Sequence, residues 1–190
     1  MVKFRSDFVK STSSNPSEIL FIPPSLHESR LDTASLMLSS HYPSGLSVLD
    51  MGCGYSHLYP KIKEHTSSYM AVDPDSSVLL AGAEMYKIKN YEVSEIGKFK
   101  TPKLYDIVFC LGVASFLEKG EENLKDFIEE LCSLAKRAVI LEFQNSERYK
   151  GMFTSFSVEE VSKACQRHFN TSTLIDHSTD TTFYIRIPLL

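Results

Sequence analysis

The sequence predicts a single α/β domain in which a mostly parallel sheet carries helices between its strands. Three observations predict this class. Short apolar runs alternate with amphipathic helical stretches along the chain. The run Tyr105–Leu111 is apolar on both faces, as is typical of a central parallel strand. The last two predicted strands, Ser172–His177 and Thr181–Pro188, are separated by a short turn, which indicates a terminal hairpin.

Composition narrows the class of protein. The chain has 190 residues, 43% of them hydrophobic, and a net charge of −4, so it lacks the broad basic face that duplex nucleic acid requires. No stretch approaches the ~18 apolar residues of a membrane span, and early charges interrupt any signal peptide. None of the four cysteines has C-x-x-C spacing. We therefore expect a reduced, cytoplasmic protein without a membrane partner.

The beginning of the chain predicts a boundary. Residues 1–25 are polar, include a Ser- and Asn-rich loop pattern, and are expected to be a separate N-terminal segment with little regular structure. The remainder, residues 26–190, is expected to form the domain. Ser25 and Glu28 make a capping box, so a helix is expected from Leu26 to about Ser40.

The remaining elements follow the same alternation of apolar runs and helical patterns. Strands are expected at Leu46–Asp50, Tyr69–Val72, Tyr91–Val93, Tyr105–Leu111 and Ala138–Phe143. Helices are expected from about Ser56 to His65, from a cap at Asp75 or Ser76 to about Met85, from Glu121 to about Ala135, and from a cap at Ser157 to about His168.

Residues 46–75 contain the most informative pattern in the chain. An apolar run ends in Asp50, Gly52 and Gly54 follow, and a second apolar run ends in Asp73. Glycine is needed where the backbone turns with positive φ or where a ligand approaches it closely. A helix that begins after such a turn offers free N–H groups to a ligand, and an acid at the next strand end can bind both ribose hydroxyls. The pattern predicts a nucleoside-containing cofactor.

Two cofactor classes use this arrangement. The dinucleotide fingerprint G-x-G-x-x-G/A would place its third small residue at His57, whose side chain obstructs the pyrophosphate. The alternative is S-adenosyl-L-methionine (SAM). A Rossmann-like turn without any cofactor remains a third interpretation.

The stretch resembles the class I SAM-dependent methyltransferases, whose signature is a strand followed by D/E-x-G-x-G-x-G and then an acid that ends the second strand. Asp50, Gly52 and Gly54 match this signature, and Ser56 stands where the family usually has a third glycine. Asp73 lies 19 residues after Gly54 and matches the ribose-binding acid. The resemblance implies a Rossmann-like, three-layer α/β/α sandwich with seven strands in the order 3-2-1-4-5-7-6. It also implies that the N-terminal segment, residues 1–25, covers the substrate.

The resemblance also implies a set of cofactor-binding residues. It assigns Asp73 to the ribose and allows close approach of the methyl donor at Gly112. Arg30 corresponds to a basic residue that neutralises the cofactor's carboxylate in several families, although a surface arginine is the alternative. Glu95 matches an adenine-binding acid by position only. The full set of expected cofactor-binding residues is Arg30, Asp50, Gly52, Cys53, Gly54, Asp73, Pro74, Leu111, Gly112 and Val113.

The methyl acceptor is expected to be a small molecule. No RNA-binding appendage and no N/D-P-P-Y motif accompany the domain. Phe21-Ile-Pro-Pro resembles an element of the small-RNA 3′-end 2′-O-methyltransferases, but their metal ligands would fall on Gly112, Ser115 and Phe116. None of these is expected to bind magnesium or zinc through its side chain, so no metal is expected. A methyltransferase acting on RNA or protein, and a non-catalytic SAM-binding domain, remain alternatives.

Residues for the acceptor are less well defined. Apolar side chains after the fourth strand and in a possible lid after the fifth could line its pocket. Glu142 ends the fifth strand and is either a substrate ligand or a strand-end residue bonded to backbone. No catalytic base is assigned, with His57, Glu142 and His177 as candidates. The expected acceptor residues are Phe116, Glu142, Tyr149 and Phe153.

Overall fold

A computed structural model of the chain describes residues 1–5, 24–144, 153–166, 174–178 and 182–189. Backbone contacts divide the chain into two compact units. We call residues 9–94 the N-unit and residues 1–8 together with 95–190 the C-unit. The boundary expected near residue 25 remains a prediction.

The N-unit alternates strands and helices. Parallel pairing joins β1 to β2 and β2 to β3, with Val48 opposite Tyr69 and Ala71 opposite Tyr91. Every residue of β1 is buried, as expected for a strand covered on both faces. Its elements are α1 (Pro24–His41), β1 (Leu46–Met51), α2 (Tyr59–Ile62), a 3-10 helix (Lys63–His65), β2 (Thr66–Asp73), α3 (Ser76–Tyr86) and β3 (Tyr91–Val93).

The C-unit contains the longest strand and the hairpin. Strand β5 pairs parallel with β4 and antiparallel with β7, and β6 pairs antiparallel with β7. At the start of the chain, Phe4 forms an antiparallel bridge with Leu117. Its elements are β4 (Tyr105–Cys110), a 3-10 helix (Val113–Phe116), α4 (Glu121–Cys132), β5 (Ala135–Gln144), α5 (Val158–Gln166), β6 (Leu174–Ser178) and β7 (Thr182–Pro188).

The sheet has seven strands in the order 3-2-1-4-5-7-6, so the expected topology and the terminal hairpin are confirmed. Two of the predicted caps, at Asp75 and Ser157, are confirmed as well, whereas the capping box expected at Ser25 and Glu28 is wrong because α1 already begins at Pro24. Asp75 Oδ1 accepts the Ser77 N–H at 2.9 Å at the start of α3. Before α5, the Ser157 N–H donates to Glu160 Oε2 at 2.6 Å and the Glu160 N–H donates to Ser157 Oγ at 3.1 Å.

Three further element starts differ from the expectation by three residues, and the first is β2, which begins at Thr66 rather than Tyr69. The helix placed at Ser56–His65 begins only at Tyr59, for a reason given with the site below. Strand β5 begins at Ala135, where the sequence predicted the last turn of a helix. Ala135 pairs with Tyr105, the first residue of β4, so β5 extends to match its partner although its next two residues are exposed and charged.

Some expectations fall outside the described residues. Tyr149 and most of the predicted lid after β5 lie there, as does most of the N-terminal segment. The backbone of His177 lies in β6, but its side chain is not described. Within the parts of the chain that the structure does describe, no helix combines the length and apolarity that crossing a bilayer requires.

Candidate cofactor and acceptor sites

The loop after β1 contains three left-handed residues within five positions. Gly52, Gly54 and Ser56 have φ values of 75°, 52° and 56°. This conformation is easy for glycine and costs other residues free energy, which explains why a third glycine is usual where this chain has Ser56. A Cβ added to Gly54 would meet no atom within 4 Å, so the backbone here is open to close approach by a ligand.

The N–H groups of this loop are hydrogen-bonded within the protein. Those of Gly52 and Cys53 both donate to the carbonyl oxygen of Val72, at 2.7 and 3.1 Å. The Gly54 N–H donates to Asp73 Oδ2 at 2.8 Å. These bonds fasten the loop to the end of β2 and fix the position of the open backbone at Gly54.

The expected helix N-terminus beside the glycines is wrong. The left-handed φ of Ser56 prevents a helix from starting there, and α2 is a single turn that begins three residues later. The Ser56 N–H already donates to the Cys53 carbonyl at 2.8 Å, and the Tyr59 N–H donates to the Ser56 carbonyl at 3.0 Å. The loop therefore offers a ligand open backbone and a carboxylate rather than a helix dipole.

Asp73 is held on both of its carboxylate oxygens. Oδ2 accepts the Gly54 N–H and Oδ1 accepts the Asp75 N–H, each at 2.8 Å. The side chain is only 8% exposed. These two hydrogen bonds fix the orientation of the Asp73 carboxylate at the end of β2.

Asp50 is buried behind the loop. Burial raises its pKa to about 7, against the hydrogen bond that Tyr69 Oη donates to Oδ2 at 2.5 Å, and the negative charge of Asp73 raises it further. Burial also raises the pKa of Tyr69 well above its usual value, with the adjacent Asp50 charge adding to this. The pair is a buried brace between β1 and β2.

The thiol of Cys53 is not activated. Burial, followed by the negative charges of Asp50 and Asp73, raises its pKa well above the usual value. Its Sγ contacts the Gly54 carbonyl oxygen at 3.6 Å. Because the thiolate is the nucleophile, this environment disfavours a nucleophilic role for Cys53.

Gly82 is a site residue that the sequence reasoning missed. A Cβ at this position of α3 would lie 2.4 Å from the Tyr55 carbonyl oxygen and 2.6 Å from its carbonyl carbon. Helix α3 therefore packs directly on the backbone of the glycine loop. The available signal was a glycine in the middle of a helix, where alanine is normally favoured by about 1 kcal/mol.

His57 lies in an aromatic cluster beside the same loop. Its Nδ1 is 2.7 Å from Tyr86 Oη, and its ring contacts those of Tyr55 and His27 at centroid distances of 5.7 and 5.4 Å. Burial lowers its pKa, opposed by the charge of Glu28. A neutral ring packed in this way favours a packing role for His57 over the role of catalytic base.

The other expected N-unit residues differ in environment. Arg30 is 6% exposed, so the alternative of a surface arginine is wrong. Pro74 is exposed at the end of β2. Glu95, which belongs to the C-unit, is paired with Lys98 at 2.8 Å.

The expected C-unit residues lie at the carboxyl ends of β4 and β5. Leu111, Gly112 and Val113 are half-buried, and Gly112 has a φ of 77°, which fits a position where the chain turns sharply. Phe116 and Phe153 pack edge to face at a centroid distance of 5.9 Å. These residues provide a turn and an aromatic surface next to it.

Glu142 is buried, with 1% exposure, and its Oε1 accepts a hydrogen bond from Tyr184 Oη at 3.2 Å. The structure thus gives this carboxylate a side-chain partner on β7, which the sequence did not predict. Among the described residues, no group of three or more His, Cys, Asp or Glu side chains is arranged to hold a metal ion.

Comparisons with known proteins show the class of the fold. No family model matches the chain. It is 28% identical over 109 residues to the ubiquinone biosynthesis O-methyltransferase of Rickettsia canadensis (strain McKiel), covering 54% of this chain and 46% of the relative. It is 31% identical over 108 residues to that of Rickettsia bellii (strain OSU 85-389), covering 54% and 45%. The chain spans about half the length of the curated relatives it matches.

Solved structures give the same result over more of the chain. Magnesium protoporphyrin IX methyltransferase from Synechocystis PCC 6803, with bound SAM, superposes with a TM-score of 0.66 at 19% identity, covering 85% of this chain and 79% of that one. N-methyltransferase NodS from Bradyrhizobium japonicum WM9, with S-adenosyl-L-homocysteine, gives 0.70 at 15% identity, with 93% of each chain covered. The chain has the class I SAM-dependent methyltransferase fold, which confirms the resemblance.

Proposed function

We propose that this chain binds SAM and transfers its methyl group to a small-molecule acceptor. The observation that carries the proposal is the orientation of Asp73 at the open glycine backbone. Its carboxylate is fixed by the N–H groups of Gly54 and Asp75, beside a position where a Cβ would meet no atom. Solved structures with this fold contain SAM or its demethylated product.

Each part of the N-unit site has a defined role in this proposal. Asp73 accepts hydrogen bonds from the ribose hydroxyls, and Gly54 leaves space for the adenosyl group against the backbone. Asp50 and Tyr69 hold the end of β1 in place beneath the loop. Arg30, buried in α1, is proposed to neutralise the cofactor's carboxylate.

The C-unit residues are proposed to serve the acceptor. When bound, SAM supplies a methyl group that its sulfonium has already activated. The protein then has to hold the acceptor's nucleophile in line and exclude water, so a catalytic triad is not required. Phe116 and Phe153 give an apolar surface for this purpose, with Glu142 as a polar neighbour. The O-methyltransferase relatives favour a hydroxyl oxygen as the methylated atom.

A reducing, cytoplasmic setting belongs to the same proposal. All four cysteines of the chain are free, at positions 53, 110, 132 and 165. Unpaired thiols are usual where glutathione and thioredoxin keep proteins reduced.

Titration calorimetry with SAM, S-adenosyl-L-homocysteine and NAD tests the cofactor. We expect the first two to bind and NAD not to bind. Asp73→Ala should weaken SAM binding by about 1–3 kcal/mol, because hydrogen bonds to a charged group are lost. Glu92→Ala, which removes an exposed carboxylate from the neighbouring strand β3, is the matched control and should leave the affinity unchanged.

Transfer is tested separately with tritiated SAM and cell extract fractionated by size, RNase and protease. Label in the small-molecule fraction supports the proposal, whereas label in RNA or protein identifies the alternative acceptor. SAM binding without any transfer would indicate a non-catalytic SAM-binding domain. Binding of NAD in place of SAM would contradict the proposal altogether.

A further inference from the structure

The end of β5 brings buried polar side chains onto one face of the C-unit sheet. Residues alternate along a strand, so Glu142 and Gln144 share one face while Phe143 lies on the other, stacked on Phe183 at 5.4 Å. Strand β7 places Tyr184 opposite Glu142 and Thr182 opposite Gln144. All four polar side chains are at least 92% buried. This is an unusual concentration of polar groups for a buried sheet face.

Two buried polar atoms in this region have no hydrogen-bond partner among the described residues. They are the Oε1 atom of Gln144 and the Oγ atom of Ser115. Ser115 lies in the 3-10 helix that follows Gly112, and β5 packs against this helix. Folded proteins satisfy the great majority of buried polar atoms, because each unmade bond costs stability. Two such atoms close to the ends of β4 and β5 mark positions where a ligand can supply the missing partners.

The backbone N–H and carbonyl groups of Ser115 are hydrogen-bonded, whereas its hydroxyl group has no partner among the described residues. The Ser115 N–H donates to the Gly112 carbonyl at 3.4 Å, and its carbonyl accepts the Thr154 N–H at 2.9 Å. Thr154 is held in turn by the bond from its Oγ1 to the Leu117 carbonyl at 2.6 Å. This links Ser115 to the two aromatic rings, since Phe116 follows it in the chain and Phe153 precedes Thr154.

The chemistry of these groups defines what they bind. A glutamine Oε1 and a carboxylate accept hydrogen bonds, and a serine hydroxyl both donates and accepts. The complementary ligand carries at least one neutral hydrogen-bond donor on an apolar body. A carboxylate or phosphate in the same place would be repelled by Glu142.

We propose that Ser115 and Gln144 are the residues that select the methyl acceptor, by binding a hydroxyl group on an aromatic or similarly apolar molecule. This inference rests on the proposed function and deepens it. Glu142, positioned by Tyr184, adds a further acceptor for the same hydroxyl or its neighbour.

If Ser115 and Gln144 bind the acceptor, replacing either one should raise the stability of the ligand-free protein and weaken acceptor binding. A residue with a purely structural role would not show these two opposite effects. Gln144→Met and Ser115→Ala remove unsatisfied buried polar atoms, so each should raise the melting temperature of the ligand-free protein by about 2–4 °C. Thr154→Val is the matched control, because its buried hydroxyl has a partner, and it should lower the melting temperature. The two variants should lose acceptor binding while they gain stability.

Acceptor binding is measured in the SAM-bound protein with catechol and its dimethyl ether, which has the same ring but no hydroxyl donor. Wild type should bind catechol about tenfold or more tightly than the ether, and Gln144→Met should reduce this ratio to near one. SAM affinity should be unchanged in both variants. Dihydroxybenzoate carries a carboxylate and phenethylamine carries an ammonium group. These two probes test whether the site prefers an anionic or a cationic ligand to the neutral catechol.

The outcomes separate this inference from the proposed function. Absence of SAM binding in wild type overturns the proposed function and this inference with it. SAM binding with no preference for catechol over its ether, or with a preference that persists in Gln144→Met, overturns the inference alone. Preference for the anionic or the ammonium probe over catechol also overturns it, as does a lower melting temperature in both variants.

Discussion

The backbone of the glycine loop in the N-unit and the buried side chains at the end of β5 in the C-unit differ in how completely they are hydrogen-bonded. In the loop, the N–H groups of Gly52, Cys53 and Gly54 have protein acceptors, and both oxygens of Asp73 are held. At the end of β5, the Oε1 atom of Gln144 is buried without a partner. The first region is already ordered by the protein, whereas the second lacks bonds that a ligand can supply.

The difference indicates which site is general and which is particular. A loop whose shape is fixed by its own hydrogen bonds can present the same open backbone in any protein with this fold. A set of unsatisfied buried atoms lowers the stability of the free protein. We therefore expect it only where one kind of ligand supplies the missing hydrogen bonds. We therefore expect changes in the loop to affect folding and SAM together, and changes near β5 to affect the acceptor.

Gly82→Ala has the largest expected effect on the hydrogen-bonded glycine loop. The new methyl group would lie 2.4 Å from the Tyr55 carbonyl oxygen, and because the obstacle is backbone, the loop or α3 has to move. We expect a loss of more than about 4 kcal/mol in the free energy of unfolding and no measurable SAM binding. Urea denaturation and calorimetry measure these quantities.

Gly120→Ala is the matched control, since a Cβ there would meet no atom within 4 Å. Its stability should change by less than about 0.5 kcal/mol. Helix propensity alone predicts that Gly82→Ala is stabilising by about 1 kcal/mol, so a variant as stable as wild type would show that the close approach is not real.

Sequence patterns predicted the strands and two of the helix caps. They did not predict features that depend on contacts between residues far apart in the chain. The apolar strands and the caps at Asp75 and Ser157 depend on local residues, and the structure has them as expected. The late start of α2 follows from the left-handed φ of Ser56, which no periodicity reveals. The roles of Gly82 and Tyr184 depend on which backbone or side chain lies opposite, and only the folded chain sets that.

Asp50→Asn tests whether the buried carboxyl group behind the glycine loop lowers the free energy of unfolding. With its pKa raised from 3.8 to about 7, Asp50 in the folded state keeps its proton over a range where the unfolded chain has lost it. Stability should therefore fall as pH rises from about 4 to 7 and be flat for this group above 7. The variant should lack this slope and be more stable than wild type at pH 8 by about 4 kcal/mol.

The measurement is the urea midpoint at half-unit steps of pH from 4 to 8.5. Tyr69→Phe is the companion variant, because loss of the hydrogen bond to Oδ2 should raise the pKa of Asp50 further and extend the falling limb to higher pH. An identical pH profile in wild type and Asp50→Asn would contradict the assignment of the slope to Asp50.

Ser56→Gly is the smallest expected change and examines an exception at the ordered loop, where Ser56 Oγ and His57 Nε2 are both buried without a partner among the described residues. Ser56 combines a φ of 56° with a buried Oγ that has no hydrogen-bond partner among the described residues. Glycine relieves the backbone strain and removes the unsatisfied hydroxyl, against a greater entropy of the unfolded chain. We expect a net gain of about 1 kcal/mol in the free energy of unfolding, with SAM affinity retained.

Lys87→Gly separates the two contributions, because Lys87 has nearly the same φ, 57°, but an exposed side chain. It should gain only the backbone part, less than about 0.5 kcal/mol after the entropy cost. A larger gain for Ser56→Gly than for Lys87→Gly assigns the difference to the buried hydroxyl. Equal gains would mean that this hydroxyl costs nothing, and the contrast between the loop and the end of β5 would then rest on Ser115 and Gln144 alone.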